Sequence, residues 1–142
     1  MDYVIDMQHI RPLIKEEVSR IAASAFTEDG TPLYDHIDII DQDDATIYRH
    51  ITDAVAQAVA RLQDIATYEG RLVHFNVPDM DITKTPLVIS EMDRYIAMNV
   101  VSGWCQDHYL SKMEEYALRS QAALKNVITY LKSRRTPNRR RP

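Results

Sequence analysis

The sequence predicts a mainly α-helical fold: a four-helix, antiparallel bundle-like domain with a small β element and a disordered basic C-terminal tail. Three observations predict it. Apolar residues recur at the helical period in four segments, and they recur at a period of two in one. Residues 133–142, SRRTPNRRRP, have no apolar side chain to bury except proline.

Length and composition fit one domain at residues 1–132 followed by a tail at residues 133–142. With 45% hydrophobic and 27% charged residues in 142, the chain has the make-up of a soluble globular protein with a real core. No apolar run approaches the roughly 20 residues of a membrane span, because Glu91, Asp93 and Arg94 interrupt the longest one. The opening MDYVIDMQHI lacks the basic start and apolar stretch of a secretory signal. Cys105 is the single cysteine, so an internal disulfide is excluded. It reads as a small core residue in preference to a nucleophile.

The first helix is expected from about Gln8 or Pro12 to Ala25. Ile10, Leu13, Ile14, Val18, Ile21, Ala22 and Ala25 form its stripe, and Lys15, Glu16, Ser19 and Arg20 lie largely off it. Gly30 and Pro32 then mark a turn. Residues 33–40 alternate Leu33, Ile37 and Ile39 with Tyr34, His36 and Asp38, which allows a brief strand. Acids from Asp41 to Asp44 can cap a second helix over about residues 43–66, opposing the positive end of its dipole. Its apolar face comprises Ile47, Ile51, Ala54, Val55, Ala58, Leu62 and Ile65.

After Gly70 the period changes. Val73, Phe75 and Val77 alternate with His74 and Asn76, a strand with one covered face and a solvent-facing His74. Residues 33–40, or a return strand near residues 80–84, are its candidate partners.

Residues 85–106, TPLVISEMDRYIAMNVVSGWCQ, are predicted as the central helix. Thr85 can cap its start and Pro86 suits the first helical position. Val88, Met92, Tyr95, Ile96, Asn99, Val100 and Gly103 recur at helical spacing, and Ile89 and Trp104 widen the stripe. A face that wide must be covered from more than one side. A short break around residues 106–108 then favours an antiparallel hairpin with a last helix over about residues 109–132. There Met113, Ala117, Ser120, Gln121, Leu124, Val127, Ile128 and Leu131 share a side.

The search for chemistry predicts no enzyme, no cofactor and no tightly held metal. Of the five histidines, no two stand at helical ligand spacing, and neither ExxH nor HExxH occurs. With three scattered glycines there is no phosphate-cradling loop, and GxSxG is missing. The acidic stretch of Asp35, His36, Asp38, Asp41, Asp43 and Asp44 is the best metal candidate. It lacks the glycine and ligand spacing of an EF-hand, and a capped, solvated loop accounts for it.

Charge is the stronger signal. Lys132, Arg134, Arg135, Arg139, Arg140 and Arg141 put six positive charges in the last eleven residues. The preceding 131 residues carry 11 Lys and Arg against 21 Asp and Glu, a net −10. These six cations are the predicted partner-binding residues. They could meet nucleic-acid phosphates or an acidic protein surface. No aromatic residues interleave with them, so base readout is not implied.

The order of segments also matters. A short first helix precedes a DGTPLY loop, and DDATIYRHITDAVAQAVARLQDI, GRLVHFNVP and TPLVISEMDRYIAMNVVSGWCQ follow. The arm YLSKMEEYALRSQAALKNVITYLKSRRTP ends the pattern. Over about residues 10–137 this resembles the small helical head–tail adaptor (connector) proteins of tailed bacteriophages and prophages, especially those of Bacteroidetes phages. The resemblance implies a non-enzymatic structural virion protein, made in the host cytoplasm and located at the head–tail interface. Copies would form a ring, dodecameric by resemblance, below the portal protein and above a stopper or tail-completion protein. DNA would pass through without sequence-specific binding, and no membrane is involved. An acidic body tolerates that passage because like charges repel. Tyr48, Val59, Val88 and Tyr116 are the expected contributors to ring contacts. The alternative is a small regulatory or nucleic-acid-binding protein using the Arg-rich tail; an enzyme with a metal in the acidic segment is a third.

Overall fold

The structure, a computed structural model, describes residues 1–24, 44–108 and 110–134. In order they form β1 (Asp2–Val4), α1 (Met7–Ser24), α2 (Asp44–Arg61), β2 (Ala66–Glu69) and β3 (Leu72–Phe75). A 3₁₀ turn (Ile82–Lys84), α3 (Thr85–His108) and α4 (Leu110–Leu131) follow. The fold is mainly helical with a small sheet, as the periodicities predict.

The central helix is α3, and its composition says why. Val88, Met92, Tyr95, Ile96, Ala97, Val101 and Cys105 are all essentially inaccessible, so apolar residues wrap most of its circumference. That surface is covered by α4 along its length, by α1, and by α2. The α3–α4 pair is antiparallel. Ser102 Oγ donates to the Met113 carbonyl at 3.1 Å near the turn. Ser120 Oγ donates to the Tyr95 carbonyl at 3.4 Å further along, and Asn126 Nδ2 to Glu91 Oε2 at 3.5 Å beyond that. From α2, the Ala54 carbonyl accepts the Tyr95 hydroxyl at 2.9 Å. Ala54 and Ala58 are buried at this crossing, where small side chains let the backbones approach.

The sheet has the order β1–β3–β2, antiparallel throughout. Val73 and Phe75 face the core while Leu72 and His74 face outward, which matches the predicted alternation. Its strand partners differ from both candidates. Residues 33–40 lie outside the described residues, and residues 80–84 form a Met80–Arg134 bridge and then the 3₁₀ turn. The partners are instead β1 and β2, which were not foreseen.

The second helix accordingly ends at Arg61, short of residue 66. Leu62 through Ile65 reverse the chain, with Ile65 N donating to the Leu62 carbonyl at 2.9 Å. Residues 66–69 pair with β3 along one edge, and Ala66 is buried. Helical spacing persisted through Leu62 and Ile65 because the turn also directs them inward. Gly70 and Arg71 close the β2–β3 hairpin, and Gly70 has φ +63°, the left-handed conformation expected at the first position of a tight hairpin turn.

Three smaller expectations are corrected. Thr85 is already helical (φ −52°, ψ −48°) and is not a cap. Asp81 does that work one turn earlier, accepting from Thr83 N at 3.0 Å. Gly103 is exposed, and Ile89 is 37% exposed, so neither belongs to the sealed stripe. The central helix continues through His108 without the expected break at residues 106–108. Of the two starts expected for the first helix, the one near Gln8 holds: α1 begins at Met7 with Pro12 inside it, and Asp6 Oδ1 accepts from Gln8 N at 2.9 Å.

Candidate functional site

The root of the basic segment is described through Lys132 and Arg134, both exposed. Arg135, Arg139, Arg140 and Arg141 lie outside the described residues. Beyond Leu131 the helix closes with Lys132 N to the Ile128 carbonyl and Ser133 N to the Tyr130 carbonyl, each at 3.1 Å. The chain then meets the start of the central hairpin. Asp81 N donates to the Ser133 carbonyl at 2.9 Å, and Met80 and Arg134 form an antiparallel bridge. Ser133, which composition groups with the tail, is thus hydrogen-bonded to the body, and Arg134 is bridged opposite Met80.

This end carries apolar surface as well as charge. Ile82 is 78% exposed one residue beyond Asp81, and Leu87 is 41% exposed on the first turn of α3. A shallow cleft of about 390 Å³ at the base of the basic segment is lined by Ile65, Val77, Pro78, Met80, Leu131 and Arg134, among others. Exposed aliphatic side chains next to cations can give a partner both burial and charge pairing.

Two polar centres were not legible in the sequence. At the first, Tyr3 Oη donates to Asp93 Oδ1 at 2.5 Å, and His9 Nδ1 lies 3.9 Å from Asp93 Oδ2. Burial raises the Asp93 carboxyl pKa against the opposing effect of the Tyr3 hydrogen bond. Burial also raises that of Tyr3, far above the usual phenol range, and the Asp93 hydrogen bond adds to it. At the second, buried Glu17 accepts from Tyr116 Oη at 2.8 Å and lies 3.3 Å from Arg20 and 3.6 Å from Arg119. Burial, then the Glu17 hydrogen bond, pushes the Tyr116 phenol up.

Both centres join elements distant in sequence, Tyr3 to the middle of α3 and α1 to α4. Neither sets a nucleophile beside a base. The only sequence signal was Glu17 lying one position before Val18 on the α1 stripe.

Other predicted positions have definite places. His74 faces solvent, with Nδ1 at 2.6 Å from Asp2 Oδ1, and that hydrogen bond lowers the Asp2 pKa. Cys105 is fully buried, and burial pushes its thiol up to about 11, so it is not a ready nucleophile. Val88 and Tyr116 are core residues and are unavailable for ring contacts. Tyr48 and Val59 are half-buried. Among the described residues no group of three or more His, Cys, Asp or Glu is arranged to hold a metal. No described helix is long and apolar enough to cross a membrane.

No protein-family model, curated protein or solved structure matches this chain.

Proposed function

We propose that this chain is a non-enzymatic structural protein of a tailed-phage virion, a head–tail adaptor. Copies form a ring under the portal and link it to the stopper or tail around the DNA channel. The observation that carries the reading is the composite end of the molecule. Exposed Lys132 and Arg134 flank Ser133, which is bonded to Asp81 next to exposed Ile82, at the point where four further arginines follow. Such an end suits docking to an acidic or grooved surface of the portal assembly, with the −10 body forming the ring wall. Like-charge repulsion keeps DNA from adhering to that wall. Ring contacts need a heterologous interface that closes. Tyr48 and Val59 remain candidates for it, whereas Val88 and Tyr116 do not.

Deletion of residues 135–142 tests the proposal. The truncated protein should fold, because the bond from Asp81 N to the Ser133 carbonyl is kept, and should no longer attach to portal-containing heads. The nucleic-acid-binding alternative predicts another outcome: duplex binding by the full chain, lost on truncation. Its log–log salt slope would reach about −5 if all six cations contact phosphate. Tight duplex binding without affinity for portal would overturn the adaptor reading.

A further inference from the structure

A second surface lies between β1, the start of α1 and the middle of α3. It is an open groove of about 870 Å³, lined among others by Asp2, Val4, Asp6, Ile89 and Asp93. Its carboxylates outnumber its cations. Arg71 is the single Lys or Arg of the lining, and its guanidinium is turned onto the Tyr48 ring at 5.1 Å. Asp2 and Asp6 keep 58% and 44% of their side-chain surface exposed. Val4 is 59% exposed and Ile89 37%, so the groove also offers aliphatic surface.

The wall formed by β1 is a free strand edge. Among the described residues β1 pairs with β3 alone. Ile5 N donates to the Arg71 carbonyl at 2.9 Å and Phe75 N to the Met1 carbonyl at 2.7 Å. Residues 1, 3 and 5 therefore face β3, and the alternation turns the N–H and C=O groups of Asp2 and Val4 to the open side. An extended segment can use such groups.

We infer that this groove takes the chain's own C-terminal residues 135–142, with Arg139, Arg140 and Arg141 meeting the carboxylates of Asp2 and Asp6. Three arguments select this occupant. The first is charge: those eight residues carry four arginines and no acid. The second is reach. The segment leaves from Arg134, which is bridged to Met80, while Phe75 is bonded to Met1 beside Asp2. The link between Phe75 and Met80 is folded by Val77 N to the Phe75 carbonyl and Met80 N to the Val77 carbonyl, each at 3.1 Å. Met80 thus lies well within the roughly 17 Å that five extended residues span, and eight more residues cover about 26 Å. The third is effective concentration, which for a short tether reaches the millimolar range and favours the same chain over a second copy.

Proline and the methylene arms of arginine suit the aliphatic surface of Val4 and Ile89. The inference does not depend on the adaptor reading. If both hold, the free protein keeps its basic segment on its own groove until a partner competes for it.

Paramagnetic broadening in the full chain tests this. Pro142→Cys adds a spin-label site, and buried Cys105 stays unlabelled. The label should attenuate the amide signals of Val4, Gln8 and Ile89 more than that of Thr52. Raising salt from about 0.15 M to about 1 M, which shortens the screening length from about 8 Å to about 3 Å, should restore them. Asp2→Asn with Asp6→Asn should do the same at low salt. Asparagine preserves the helix cap at position 6 and can still bond His74 from position 2, so the fold is kept while the charge is removed. Equal attenuation at Val4 and Thr52, or attenuation that salt leaves unchanged, would overturn the inference. So would attenuation when isotope and spin label are on different molecules, which would assign the groove to a second copy.

Discussion

Ile96 has no exposed surface and lies midway along the helix that every other described helix touches. Ile96→Asp would put a carboxylate among apolar side chains with no partner. That costs several kcal/mol or forces the group to stay protonated. The expected result is insoluble or unfolded protein; a variant melting with the parent would contradict the packing. Asp93 is a different case, a carboxylate already inside with its pKa raised by burial. A carboxyl whose folded pKa exceeds its unfolded value stabilises the fold below the unfolded pKa. That contribution is lost as pH rises through the folded pKa. Asp93→Asn keeps an acceptor for the Tyr3 hydroxyl and cannot ionise. Its melting temperature relative to the parent should therefore be highest near pH 7 and fall as pH drops toward about 4, the ordinary carboxylate range. Thermal melts of both proteins across that range check the sign.

At the scale of elements, Gly103 is the informative position. It sits in the interior of α3, is exposed, and a Cβ added there would meet nothing within 4 Å. Glycine in a helix interior costs about 1 kcal/mol relative to alanine. Gly103→Ala should accordingly stabilise the protein by about that amount in denaturant unfolding. Destabilisation would mean that the position is covered. The sequence placed Gly103 on the apolar stripe because spacing from Ile96 and Val100 puts it there. Burial at that turn instead falls to Val101, Trp104 and Cys105. The same logic explains the strands. A helical stripe of six or more apolar residues declares itself, and so does the alternation of Val73, Phe75 and Val77 through β3, whereas β1 has three residues and β2 buries only Ala66.

For the whole molecule, closure between the two ends of the α3–α4 hairpin decides where the body stops. Composition sets that boundary at residue 132. The Asp81–Ser133 hydrogen bond and the Met80–Arg134 bridge extend the ordered contacts through residue 134. Two truncations separate these boundaries. A chain ending at Arg134 keeps those contacts. One ending at Lys132 loses those contacts and should be less stable by about 1 kcal/mol per hydrogen bond removed. Equal midpoints for both would mean that the contacts add nothing.

The sequence by itself determined the helical class, the apolar stripes of α1 and α2 almost residue for residue, the core-facing side of β3 and the acidic-body, basic-end asymmetry. These follow from local rules, because a period of 3.6 or 2 and a count of charges are written in neighbouring residues. Tertiary structure alone decided which strands flank β3, that Asp81 and not Thr85 caps the central hairpin, and that Tyr116 belongs to the core. It also brought Tyr3 to Asp93, Glu17 to Arg119, and the free edge of β1 to a groove of carboxylates. Each of these joins residues far apart in the chain, and no local pattern encodes which distant partner satisfies a buried hydroxyl, a buried carboxylate or an edge strand.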